Sequence, residues 1–229
     1  MHDLSRLNEI PDPLAAALLE PRASVRSTAL RRPSADRAEL RRRRLRTLVV
    51  CISWWSGQLA LWGLRPDLAD LSLAYLLLLV ALPALVAAAC AYAALSPGPL
   101  GLGASRTLLI SLSAGSPLAF GVLAFTAPAP DATAAVHSSL HAGLVCVGLL
   151  IGWMSVPLLG ATRALQGAFA AGTAWRSALA ALSVGLCAAA TLTLHCSNPS
   201  PTHIAIAHGA PLVFAALVGA SLLTRWLRS

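Results

Sequence analysis

The groups in this 229-residue chain best suited to metal or redox chemistry are five cysteines and six histidines. Seven of them form a pattern in its second half: His137, His141, Cys146, His195, Cys196, His203 and His208. His137 and His141 stand four apart at the start of one apolar stretch, on one face of a helix, and Cys146 follows on the same stretch. His195-Cys196 closes the next stretch, and His203 and His208 flank the start of the last. Neutral imidazole and thiolate suit zinc or copper, so these residues are candidates for holding a transition-metal ion. Thiols also allow redox chemistry. Cys146 and Cys196 can pair if the segment after the second of these stretches folds back, a disulfide needing Cα atoms within about 7 Å. A plainer reading stands beside both: imidazoles near a membrane–water boundary are readily solvated, and no Cys-x-x-Cys spacing is present. Cys51, Cys90 and Cys187 read as small buried apolar residues. No paired carboxylates and no catalytic constellation emerge, so no enzyme is expected and no catalytic residue is assigned.

The elements that position these groups are apolar helices. Apolar residues make up 57% of the chain and charged ones only 11%, against about 25% charged in soluble domains. Mean hydropathy is +0.71. That much apolar surface cannot be buried in one water-soluble core of this size, so the lipid bilayer serves as its solvent. Runs of about 20 apolar residues predict six transmembrane helices: Leu48–Leu64, Leu71–Leu95, Thr107–Ala127, Ser139–Ala161, Ala174–Leu194 and Ile204–Trp226. Kinks are expected at Pro83, Pro117, Pro157 and Pro211. Gly143, Gly148, Gly152 and Gly160 offer a close-packing face on the fourth span. Asp70, just before Leu71, is placed to cap the second.

Residues 1–46 read as a cytoplasmic arm and residues 47–229 as the transmembrane domain. The arm lacks the apolar core of a signal peptide, so the first span is expected to direct insertion; a short helix is expected near Pro13–Glu20. All 17 basic residues are Arg, and ten of them fall in residues 22–46 against two acids. Beside an apolar span such a run reads as a positive-inside anchor rather than a nucleic-acid surface. Arg106, Arg163, Arg176, Arg225 and Arg228 fall on the same side, and Arg65 alone on the other. The predicted fold is therefore an all-α polytopic membrane protein with both termini inside the bacterial inner membrane. All seven His and Cys named above then share the outer side.

Three stretches resemble the NrsF family of six-span membrane anti-sigma factors. Gly63-Leu64-Arg65-Pro66-Asp67-Leu68 matches that family's Gly-x-Arg-x-Asp-Leu pattern at every fixed position, and Gly63, Arg65 and Asp67 are read as a structural outer turn. Gly143-Leu144-Val145-Cys146 leads into a long apolar helix with Pro157 and then an Arg-containing loop. Ala180–Leu194 leads to His195-Cys196, then His203 and His208, and ends with Gly219 and an Arg/Trp tail. The resemblance covers residues 45–229. It implies a negative regulator that holds an ECF sigma factor at the cytoplasmic side and releases it when metal or oxidative stress is sensed through two cysteines, here Cys146 and Cys196. The longer Arg-rich arm departs from the family pattern, and the resemblance assigns no partner-contacting residues there. The residues alone also allow a small metal or solute permease, with the outer His and Cys as an entrance; the spans are poor in the polar lining this would use.

Overall fold

The computed structural model describes residues 35–96, 104–126, 140–165 and 173–223. The helix expected near Pro13–Glu20, His137, and Arg225 and Arg228 lie outside them. All regular structure among the described residues is helical. The helices are α1 (Ala35–Trp62), α2 (Leu73–Leu95), α3 (Arg106–Thr126), α4 (Leu140–Leu165), α5 (Thr173–His195) and α6 (Pro201–Ser221). From α2 to α5 the ends differ from the sequence-based spans by no more than four residues.

Among the described residues five helices, α2 to α6, are long and apolar enough to cross a bilayer, which marks the chain as a membrane protein. α1 is not among the five. Arg46, Ser53, Ser56, Gln58 and the tryptophans Trp54, Trp55 and Trp62 dilute its apolar run.

The bundle is organised around α5. In its apolar window 83% of residues are buried inside the protein, against 22–39% in the other four. The reason is composition. Ala178, Ala180, Ala181, Ala188, Ala189 and Ala190 are all buried and let neighbouring backbones approach. In lipid, that close approach replaces the hydrophobic effect as the source of packing. The other helices turn large side chains outward: Leu85, Leu118, Phe125, Leu144 and Leu217 are exposed, as lipid-facing residues should be.

The close-packing glycines are not those expected on α4. Around Gly143, Gly148 and Gly152 a Cβ would meet nothing within 4 Å, and only Gly160 is close to a neighbour, Thr47. The tight positions lie between α5 and α6. A Cβ on Gly185 would come within 2.9 Å of Leu212, and one on Gly219 within 2.6 Å of the Ser177 carbonyl. The cap on α2 also differs: the Ser72 hydroxyl accepts from the Tyr75 N–H at 3.1 Å, while Asp70 lies in a preceding 3-10 turn.

The prolines are handled in two ways. A π turn, Leu77–Ala81 in α2 and Ile204–Gly209 in α6, ends two residues before Pro83 and Pro211 respectively. The wider turn relieves the clash between each ring and the preceding turn. Pro157 sits inside regular α4 and leaves the Trp153 carbonyl without its usual donor. The Trp54 indole N–H of α1 donates to that carbonyl at 3.0 Å. With the Thr47 hydroxyl donating to the Gly160 carbonyl at 3.2 Å, this fastens α1 to α4.

Candidate functional site

The corner between α5 and α6 brings the chemistry together. The Cys196 N–H donates to the Leu192 carbonyl at 2.7 Å, so Cys196 continues the last turn of α5. The Asn198 carboxamide oxygen then accepts from the Ser200 N–H at 3.0 Å, a tight side-chain turn. Pro201 starts α6 at the position where a missing N–H does no harm. So short a corner sets the Cys196 Sγ 3.4 Å from the His203 Nε2. Cys146, on the adjoining α4, places its Sγ 3.7 Å from that of Cys196. Both cysteines are half-buried free thiols.

His208 completes the group. On an α-helix, residues five apart point about 140° away from each other at 3.6 residues per turn. Here the π turn Ile204–Gly209 intervenes, and its i→i+5 pairing stacks His208 above His203. Their rings meet edge to face with centroids 5.5 Å apart. One ligand atom from each of Cys146, Cys196, His203 and His208 lies within 4.8 Å of the others. Both imidazoles are buried, His208 completely. Its Nδ1 lies 3.3 Å from the Thr193 hydroxyl, which itself donates to the Ala189 carbonyl at 2.9 Å.

Cys196 lies between the two membrane-spanning segments. The Cys146 thiol first, then His203, favour its thiolate and hold its pKa below the ordinary thiol range.

The turn Gly63–Asp67 is built against the same corner. Gly63 adopts φ +81°, the left-handed conformation that favours glycine at a helix end. The Arg65 N–H donates to the Leu194 carbonyl at 2.9 Å. Its buried guanidinium makes a bidentate pair with Asp67 at 2.7 and 2.6 Å, reaches the Ser197 carbonyl at 3.5 Å, and lies over the Tyr75 ring. That pairing holds the Asp67 carboxyl below the usual carboxylate range. The His195 Nδ1–H donates to the Gly63 carbonyl at 2.9 Å, with the ring between Trp62 and Trp153.

Of the residues singled out in the sequence, the structure thus joins Cys146, Cys196, His203 and His208, with Gly63, Arg65 and Asp67 bracing the corner. His195 serves the brace and does not join the thiols. His141 is exposed on α4 and stands outside the group. Thr193 carries no metal-ligand signal in the sequence; only the packing of α5 on α6 reveals its contact with His208. Cys51 and Cys90 are buried, and Cys90 lies 3.6 Å from the Ser116 hydroxyl. At the other end of α5, buried Arg176 donates to the Ala94 and Ser96 carbonyls at the end of α2, at 3.0 and 3.1 Å.

Comparison with known families gives one match. The NrsF model, described as Negative regulator of sigma F, matches residues 29–228. The match begins inside the Arg-rich arm, earlier than the motifs alone suggest. No curated protein and no solved structure matches the chain.

Proposed function

The chain belongs to the NrsF family of negative regulators of sigma F, and from that premise we propose that it is a membrane-bound anti-sigma factor. It holds an ECF sigma factor at the cytoplasmic face of the bacterial inner membrane and releases it under metal or oxidative stress. In this reading α1 serves as a sixth span and both termini lie inside, an orientation favoured by the arginines of residues 22–46. The thiol corner then faces outward, and the arm is the main surface offered to a cytoplasmic partner.

The observation that supports the sensing role is the meeting of Cys146 and Cys196 at one end of α5. An oxidant that takes two electrons and two protons from the pair closes an Sγ–Sγ bond; a metal ion displaces the two protons instead. Either event ties α4 to the end of α5 and so biases which packing of the two helices is favoured. α5 carries Arg176 at its opposite end, about 30 Å away at 1.5 Å per residue. A rigid, buried helix transmits such a change to the inner face, where the partner is held.

Two measurements test this. The sigma factor should co-sediment with membranes containing the wild-type chain and be released on stress. Cys146→Ser and Cys196→Ser should each abolish release while the protein stays in the membrane. A normal stress response in both variants refutes the sensing role, and a sigma factor that never associates with the membrane refutes sequestration.

A further inference from the structure

We propose that Cys146, Cys196, His203 and His208 form a four-ligand site for a zinc-class divalent cation. The proposal deepens the sensing reading and rests on it only for its biological consequence. The site itself stands on four observations.

The first is spacing. In a tetrahedral site with bonds of about 2.3 Å to sulfur and about 2.05 Å to nitrogen, the S···S edge is about 3.8 Å and the S···N edge about 3.6 Å. The Cys146–Cys196 and Cys196–His203 distances are 3.7 and 3.4 Å. The fourth ligand, His208, falls within the same 4.8 Å cluster. Two of the six donor–donor separations thus match tetrahedral edges before any ion arrives.

The second is the tautomer of His208. The Thr193 hydroxyl has its one proton on the Ala189 carbonyl, so it can only accept from His208, and Nδ1 carries the ring proton. Nε2 is left with a bare lone pair, completely buried and without a hydrogen-bond partner. Leaving a buried acceptor unpaired is expensive. A metal ion satisfies it, and the Thr193 contact is the outer-shell hydrogen bond that metal-bound imidazoles use to fix their orientation.

The third is backbone shape. The π turn Ile204–Gly209 puts two histidines five apart on one face. An unbroken α-helix would separate them. π turns recur at functional sites.

The fourth is charge. Two thiolates neutralise a divalent ion and two neutral imidazoles add nothing, so the loaded site carries no net charge. That matters where both histidines are buried and an uncompensated charge would be costly. Calcium and magnesium want oxygen ligands, which this set does not offer. Loading displaces two thiol protons, so affinity falls as pH falls.

The test uses the full-length chain, reduced and metal-stripped, in detergent or nanodiscs. It is titrated with Co²⁺ as a coloured probe and then with Zn²⁺. The expected result is one ion per chain, with the visible bands of tetrahedral cobalt and a thiolate-to-cobalt charge-transfer band, both erased by zinc. His203→Asn and His208→Gln should each shift the visible bands and weaken binding by about a hundredfold or more. Thr193→Val, which removes only the outer-shell contact, should weaken it by about 10–100-fold. Size-exclusion profiles and far-ultraviolet circular dichroism establish that each variant is folded. The proposal is overturned if the folded, reduced wild type binds no cobalt, if the bands are those of an octahedral ion, or if both histidine variants leave the spectrum unchanged. A zinc-insensitive sigma-dependent reporter, in cells whose protein passes the cobalt test, overturns metal sensing and leaves the site standing.

Discussion

Diamide should close a disulfide between Cys146 and Cys196 in intact membranes, taking up the two electrons and two protons that the thiols give. The sulfurs lie 3.7 Å apart and the bond is about 2.05 Å long, so the gap to close is about 1.7 Å. A change in side-chain rotamer, with slight movement of the α5–α6 corner, is enough. The bridge joins residues 50 apart, and chain entropy alone would give it about 4 kcal/mol for a loop of that size. That is a ceiling, because α4 and α5 remain membrane-inserted helices after their packing is lost; a gain of about 1–2 kcal/mol is expected. The assay uses a variant in which Cys51, Cys90 and Cys187 are alanine. Polyethylene-glycol maleimide should add two chains before diamide and none after, with the double shift restored by dithiothreitol. The midpoint of SDS unfolding should rise in the oxidised form. Saturating zinc before the oxidant should protect both thiols. Retention of two free thiols after diamide, in protein never exposed to metal, would refute the geometry on which the site rests.

Three further outcomes follow from the packing and the charges. Gly219→Ala puts a Cβ within 2.6 Å of the Ser177 carbonyl and 2.7 Å of Ala181; it should lower stability by about 1–3 kcal/mol in SDS unfolding, while Gly148→Ala, with open space around it, should be near neutral. Asp67→Ala leaves the fully buried Arg65 guanidinium without its carboxylate. The loss should be about 1–2 kcal/mol, reduced because Asp67 is itself partly exposed, and Arg65→Lys should not restore the bidentate pair. The folded carboxyl lies below its unfolded value. The pair's contribution is therefore present above the ordinary carboxylate range and lost as pH falls through the folded value, so the wild-type advantage over Asp67→Ala should vanish on acidification. Cys196, whose thiolate is favoured, should keep reacting with iodoacetamide at pH values where an ordinary cysteine has become protonated. A rate that falls in step with a free cysteine would contradict that assignment.

The helices were legible because length and hydropathy are set by bilayer thickness, which the chain cannot evade. The approach of Cys146 to Cys196 was legible only as an option, since it depends on how α4 packs against the end of α5; the approach of Cys196 to His203 follows from the short Asn198–Ser200 turn and Pro201. His208 was visible as a residue but not as a companion of His203. An α-helical wheel places the two apart, and the π turn that brings them together, ending two residues before Pro211, is not carried by the helical period. The packing face was misplaced for a related reason. Glycines on α4 are conspicuous, whereas the alanines and Gly185 of α5 and Gly219 of α6 make the closest approaches. In lipid it is smallness opposite a neighbour that counts, and the sequence does not say which face has the neighbour.

A switch driven from this corner has to move a packed equilibrium, and a ligand moves it only by its differential affinity for the two states. Shifting a population from 1:99 to 99:1 takes about 5.5 kcal/mol. A disulfide between sulfurs already in contact contributes little to such a difference if both states hold them together. A metal site drawn from α4, α5 and α6 behaves otherwise. Its ligands come from three separate helices, so a small rotation of any one removes a donor, and zinc-type sites are worth about 10–16 kcal/mol in all. Losing one ligand of four in the disfavoured state is then enough to supply the required difference. The Arg65–Asp67 brace would join in such a switch: Arg65 ties the α1–α2 turn to Leu194 and Ser197, so under the proposed sensing role a displacement of Cys196 would reach α1 and α2 as well. Removing the brace with Asp67→Ala should therefore reduce coupling more than metal affinity. Cobalt titration should give nearly the wild-type affinity, while sigma-factor release on metal addition is blunted. Equal losses in both would mean that the turn supports the ligands and transmits nothing.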